Sequence, residues 1–250
     1  MTYSILDVVP KKENSSSLIP LTTTNEVILF TVFGVLCLAE LVFAFFEIEK
    51  ARKIVKPFCT LFLALIALLF TPWNYFFVIG VLFGMVGDIF FIFKDQKKFI
   101  LLGLVAFMLN HVFYILATWS VIRNEIEAFH TLFLVAFFLL FFAFSFLALE
   151  KFCHMKGLLR FTGSIYMTLL VLDFAYQILA RTTYSPFFIY SIFGGVLFII
   201  SDSILTCTLF IKDFKRRDFP IMLTYLGAQL LFYLPYFLLQ VQASNFVKNY

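Results

Sequence analysis

The chain has 250 residues, of which 62% are hydrophobic and only 14% charged, with a formal net charge of +4 and a mean hydropathy of +0.99. This composition excludes a soluble globular domain of the same length and leaves no room for a sizeable domain outside the lipid. It predicts an all-α, polytopic membrane protein. The small positive charge calls for no nucleic-acid partner; basic loops in such a chain suit anionic lipid headgroups.

In chain order, residues 1–25 are polar and carry no basic-then-apolar leader, which reads as a flexible tail. Eight apolar stretches follow, each near the ~20 residues that cross a bilayer as a helix. They lie at about 27–46, 54–70, 73–92, 99–122, 128–150, 158–180, 187–211 and 219–240. Together they make one transmembrane domain over 26–241, with 242–250 as a C-terminal tail. Pro57, Pro72, Pro186 and Pro220 stand at or just before expected helix starts, where a missing N–H costs nothing. Thr71-Pro72-Trp73-Asn74 closes a tight turn between the second and third stretches. Of the 19 Lys and Arg residues, 14 fall in the loops after the first, third, fifth and seventh stretches and five on the other side. The positive-inside rule therefore puts those loops in the cytoplasm and both termini outside. Cys37, Cys59, Cys153 and Cys207 show no paired spacing, so neither a disulfide framework nor a metal site is expected from them. The 38 Phe residues have two readings: a lining for acyl chains, or bulk apolar filler in place of Leu.

The informative residues are the polar ones inside apolar runs. Asp88 lies in the third stretch and Asp202 in the seventh. A carboxylate near the bilayer centre costs roughly 2.5–3.5 kcal/mol on insertion scales, so it is expected to face a bundle interior or a polar cavity. At 1.5 Å per residue, Asp88 lies roughly 9 Å and Asp202 roughly 15 Å from the cytoplasmic ends of their helices. Tyr225 and Gln229 on the eighth stretch fall at about the same two depths. His111, with Asn110 beside it and Tyr114 a turn later, lies near the middle of the fourth, and Glu40 falls in the inner half of the first. One polar layer open toward the cytoplasmic leaflet collects all of these. Asp173, toward the outer side, is left out as a separate structural contact. Gly80, Gly84 and Gly87 form a small-residue stripe that permits close helix contact and positions Asp88. Asp88 to His111 and Asp202 to Tyr225 have the same spacing, a faint sign of internal duplication. Each polar residue also has a structural reading, as a partner that locks helix packing.

Several chemistries lack their parts. Zinc hydrolysis needs three protein ligands, commonly His, and two of the three His residues (His130 and His154) lie in or beside loops on opposite sides. Gly-x-Ser-x-Gly is absent, although Ser201 flanks Asp202. Phosphate-cradling loops are absent as well. What remains is a carboxyl pair. Two nearby carboxyls in a low-dielectric site cannot both ionise easily, which yields one acid and one base. Such a pair suits an acid-labile ether or acetal of a lipid.

The strings Gly87-Asp88, then Phe107-Met-Leu-Asn110-His111-Val-Phe-Tyr114, then Gly195-Val-Leu-Phe-Ile-Ile-Ser201-Asp202-Ser203, then Thr224-Tyr225-Leu-Gly-Ala-Gln229 resemble the YhhN family of lysoplasmalogenases, and Lys56-Pro57 fits it too. Gly227 departs from the family, where a bulkier residue is usual. The resemblance spans essentially the whole chain. It implies an eight-helix membrane enzyme that hydrolyses the sn-1 vinyl ether bond of a lysophospholipid held within the bilayer. Asp88 and Asp202 would be the catalytic pair. His111, Tyr225, Gln229, Tyr114, Asn110, Ser201, Glu40 and Lys56 would bind or orient substrate and water. It implies no metal and no organic cofactor. The compact chain and its short loops suit a bacterial inner membrane. A proton-coupled lipid or small-solute transporter using the same aspartates is the competing reading, and a non-catalytic bundle is a third.

Overall fold

The computed structural model describes residues 23–93 and 96–248. Positions 1–22 of the expected tail lie outside them, and Thr23 already opens the first helix. Eight α-helices follow: α1 (Thr23–Phe45), α2 (Glu49–Phe70), α3 (Tyr75–Phe91), α4 (Lys97–Ile122), α5 (Ala128–Cys153), α6 (Gly157–Thr183), α7 (Ile189–Phe210) and α8 (Asp218–Lys248). A 3-10 turn, Pro186–Phe188, leads into α7. Helices satisfy their own backbone donors and acceptors, which lipid cannot do for them. Seven of the eight are long and apolar enough to cross a membrane; α3, with 17 residues, is the short one.

Two boundaries differ from expectation for local reasons. Helix α2 begins at Glu49, so Pro57 sits inside it and omits one helical hydrogen bond instead of marking the start. Helix α8 absorbs Pro235 and continues to Lys248, so most of the segment expected as a C-terminal tail is helical. Where Pro72 and Asn74 were expected to make a turn, they do: the Asn74 side chain accepts the Phe77 amide at 3.3 Å and caps α3.

Helices α2, α3, α4, α6, α7 and α8 pack in a ring, each on the next, and α8 closes back onto α2. Helix α1 lies in the groove between α2 and α8. Helix α5 packs mainly on α6 and turns an apolar face outward, with Phe133, Leu140 and Phe144 all exposed. Ser145 ties it to α6 by hydrogen bonding to the Ser164 carbonyl. Much of the phenylalanine excess lies on such outward faces.

The hairpins α3–α4 and α7–α8 share one register. A Cβ on Gly80 would meet Tyr114 at 2.7 Å, and one on Gly194 would meet the Ala228 carbonyl at 3.1 Å. A Cβ on Gly87 would meet the Phe107 ring at 2.8 Å, and at the corresponding place Ser201 donates to the Ile221 carbonyl at 3.1 Å. Adding 114 to each number of the first hairpin gives the second: Gly80 to Gly194, Tyr114 to Ala228, Gly87 to Ser201, Phe107 to Ile221. The same shift carries Asp88 to Asp202 and His111 to Tyr225. The two aspartates are thus equivalent in register, although counting from helix ends put them about 6 Å apart in depth. The glycine stripe does bring α3 close to α4, as expected.

Candidate active site

A cavity of about 300 Å³ enters the ring from the end that carries the basic loops and reaches both aspartates. Glu49, Arg52, Lys53 and Lys56 from the first half of α2, with Arg217 and Asp218 at the start of α8, line its charged part. The rest of the wall is mostly apolar, with Ile100, Leu104, Leu149, Met167, Leu205 and Met222 among its side chains. Phe contributes only Phe91, Phe107 and Phe210 to this wall, so the expected Phe-rich lining is a mixed Leu, Ile and Met surface.

Asp88 is almost fully buried and firmly held. Its Oδ1 faces the Lys56 ammonium at 3.0 Å. Its Oδ2 accepts from Thr60 at 3.0 Å and from the Tyr225 hydroxyl at 2.9 Å. Lys56 and Thr60 are one turn apart on α2, so a single helix face supplies two of the three partners. The Lys56 ammonium also lies 5.7 Å from the centre of the Tyr225 ring. Asp202 is held differently. The Tyr166 hydroxyl from α6 donates to its Oδ2, and no cationic side chain pairs with it among the described residues. Phe107 stands against both tyrosines, its ring 6.4 Å from that of Tyr166 and 6.3 Å from that of Tyr225. The two carboxyl groups therefore share one cavity in unlike settings, one carrying a cation and two hydroxyl donors, the other a single phenol.

Of the expected site residues, the structure brings Asp88, Asp202 and Tyr225 of the polar layer, with Lys56 and Ser201, to the cavity. Asn110, His111, Tyr114, Gln229 and Glu40 lie off its wall, fully buried, with polar atoms committed to other helices. Asn110 donates to the Gly80 carbonyl at 2.7 Å, and Tyr114 donates to Gln229. Glu40 pairs with Arg52 at 3.1 Å, and Arg52 also binds Asp218. Glu40 thus holds a cavity residue in place but is not itself exposed to the cavity. His111 faces Asp173, the residue set aside as remote, with Nδ1 3.0 Å from Oδ2. The layer divides because a ring of helices presents only part of its interior to the opening, and side chains just beyond it seal against one another.

Tyr166, Thr60, Arg52 and Asp218 were missed by sequence reasoning. Thr60 had a signal, being four residues after Lys56. Tyr166 had none, since which α6 residue meets α7 depends on packing. Among the described residues, no three of His, Cys, Asp and Glu group as metal ligands.

Comparison with curated proteins gave no match, and comparison with solved structures gave none either. A family model does match. The YhhN family model covers residues 51–236, about three quarters of the chain, from Ala51 in the first turn of α2 to Tyr236 within α8, so this chain belongs to the YhhN family.

Proposed function

We propose that the protein hydrolyses the sn-1 vinyl ether bond of lysoplasmalogen, releasing a fatty aldehyde and glycerophosphoethanolamine or glycerophosphocholine. Family membership supports the assignment. The observation that carries it is the pair of aspartates in one lipid-depth cavity with opposite surroundings: Asp88 on Lys56, Asp202 on Tyr166 alone.

Those surroundings support an assignment of roles. Asp88, beside an ammonium, serves as the carboxylate; Asp202, with no cation on it, carries the proton. Asp202 gives that proton to the alkene carbon remote from oxygen, and an oxocarbenium ion forms, stabilised by the Asp88 carboxylate. Asp88 then takes a proton from the attacking water, giving a hemiacetal. On collapse, Asp88 returns its proton to the glyceryl oxygen as the C–O bond breaks, and the hemiacetal O–H proton goes to Asp202. Atoms and protons balance, and both carboxyls are reset. The charged mouth around Lys53 and Arg217 receives the phosphate, and the Leu, Ile and Met wall receives the alkenyl chain. Asn110, His111, Tyr114 and Gln229 act from behind the wall by fixing the helices that carry the reacting groups. No metal or organic cofactor enters, so a chelator leaves turnover unchanged.

The test uses purified protein with lysoplasmenylethanolamine and, in parallel, its 1-acyl counterpart, with aldehyde and fatty acid quantified by mass spectrometry. Aldehyde from the vinyl ether substrate, and no fatty acid from the acyl one, is the expected result. Folded protein that makes no aldehyde overturns the reading.

The duplicated hairpins favour a second reading, a proton-coupled transporter built from parallel repeats. Proton-driven uptake of a lysolipid into vesicles without product formation selects it.

A further inference from the structure

Behind the cavity wall lies a buried histidine–carboxyl pair. His111 on α4 and Asp173 on α6 are both 0% exposed and 3.0 Å apart. Asp173 Oδ1 accepts from Gln177 at 2.9 Å, and Gln177 also donates to Thr118 at 2.9 Å. A buried carboxylate whose only basic neighbour is a histidine favours a proton on the pair. The imidazole or the carboxyl can hold that proton, and it belongs to the pair.

The two nitrogens of the imidazole are placed differently. His111 Nδ1 faces Asp173, and His111 Nε2 is buried with no hydrogen-bond partner. The His111 ring lies 5.8 Å from the ring of Tyr166, the residue whose hydroxyl donates to Asp202. The hairpin repeat relates His111 to the other aspartate's partner. His111 occupies in α3–α4 the position of Tyr225 in α7–α8, and Tyr225 reaches across to Asp88. By the same shift, the counterpart of Asp88 is Asp202.

We infer that His111 and Asp173 form a second proton site coupled to Asp202 through the Tyr166 hydroxyl. With the proton in the dyad, Asp173 balances the imidazolium and Tyr166 donates to the Asp202 carboxylate. Transfer is two hops, His111 Nε2–H to the phenol oxygen and the phenol O–H to Asp202 Oδ2, once Nε2 and the phenol close to hydrogen-bond distance. One proton moves, nothing is oxidised, and no charge enters the bundle. In turnover, the dyad loads Asp202 before the first proton transfer, and the hemiacetal proton returned to Asp202 passes back to the dyad by the same two hops in reverse. That use rests on the hydrolase reading; the coupling itself does not. His111 and Asp173 are positioning and relay residues, since neither lines the cavity.

The titratable groups facing His111 are Asp173 and Tyr166 from α6, Asp202 beyond Tyr166 on α7, Tyr114 on α4, and Tyr225 of α8 behind Phe198. Histidine-selective 15N labelling in nanodiscs gives three side chains to follow, and His111→Gln identifies the one of interest. Between pH 5 and 9, the His111 imidazolium and tautomer populations are expected to change in Asp202→Asn and in Tyr166→Phe relative to the unsubstituted protein. Asp202 and Tyr166 line the cavity, so these variants carry the test even if Asp173→Asn fails to fold. Superimposable His111 spectra in all three proteins overturn the inference. If turnover is present, Asp173→Asn lowers kcat roughly tenfold or more with KM unchanged; equal kcat overturns the relay role. Spectral coupling in a protein that makes no aldehyde removes the hydrolase reading and leaves this inference standing.

Discussion

At the scale of single residues, the two aspartates differ in what surrounds them, and their variants follow from that. Asp88→Asn and Asp202→Asn are each expected to lower kcat by about 10²–10⁴-fold, the usual range for a positioned acid or base, as read by aldehyde release. Lys56→Met leaves Asp88 buried beside two hydroxyls without its cation, and breaking such a pair costs about 3–5 kcal/mol. Adding Asp88→Asn to Lys56→Met removes the stranded charge. The double variant should therefore melt at a higher temperature than Lys56→Met alone while staying inactive; equal melting temperatures contradict the pairing. Asp88 and Asp202 were legible in the sequence because an acid in an apolar run is costly wherever the chain folds. Tyr166 was not, because a tyrosine in a membrane helix is unremarkable until its neighbour is known.

At the scale of elements, helix approach rests on glycine where another helix leaves no room. A Cβ on Gly80 falls 2.7 Å from the Tyr114 ring, whereas Gly34 has nothing within 4 Å. Gly80→Leu is expected to destabilise by about 1–3 kcal/mol or more through overpacking, and Gly34→Leu to be tolerated. Thermal melts in detergent separate the two; equal effects count against the α3–α4 contact. Helix positions were readable along the chain because apolar length and proline punctuation are local properties. Pro57 misled because a proline can also sit within a helix whose packing outweighs one lost hydrogen bond, and the end of α8 was missed because polarity alone does not stop a helix.

At the scale of the molecule, the ring sets a polar interior open at one end, and that end carries the basic loops. We propose that it faces the cytoplasm, with eight crossings and both termini outside. In a variant lacking the native cysteines, a cysteine placed at Lys215 should resist a membrane-impermeant reagent in intact cells, and one at Arg123 should react with it. The reverse pattern inverts the orientation, and reaction at both sites contradicts the count of crossings.

The sequence by itself determined the helical membrane class, the positions of the helices and the two costly carboxyls, because hydropathy and the penalty for a charge in lipid are carried by each residue. Only the tertiary structure decided which polar groups meet. It placed Lys56, Thr60 and Tyr225 on Asp88 and Tyr166 on Asp202, paired His111 with Asp173, and moved Asn110, Tyr114 and Gln229 behind the wall. Those choices depend on the rotation and register of helices far apart in the chain, which no local pattern encodes.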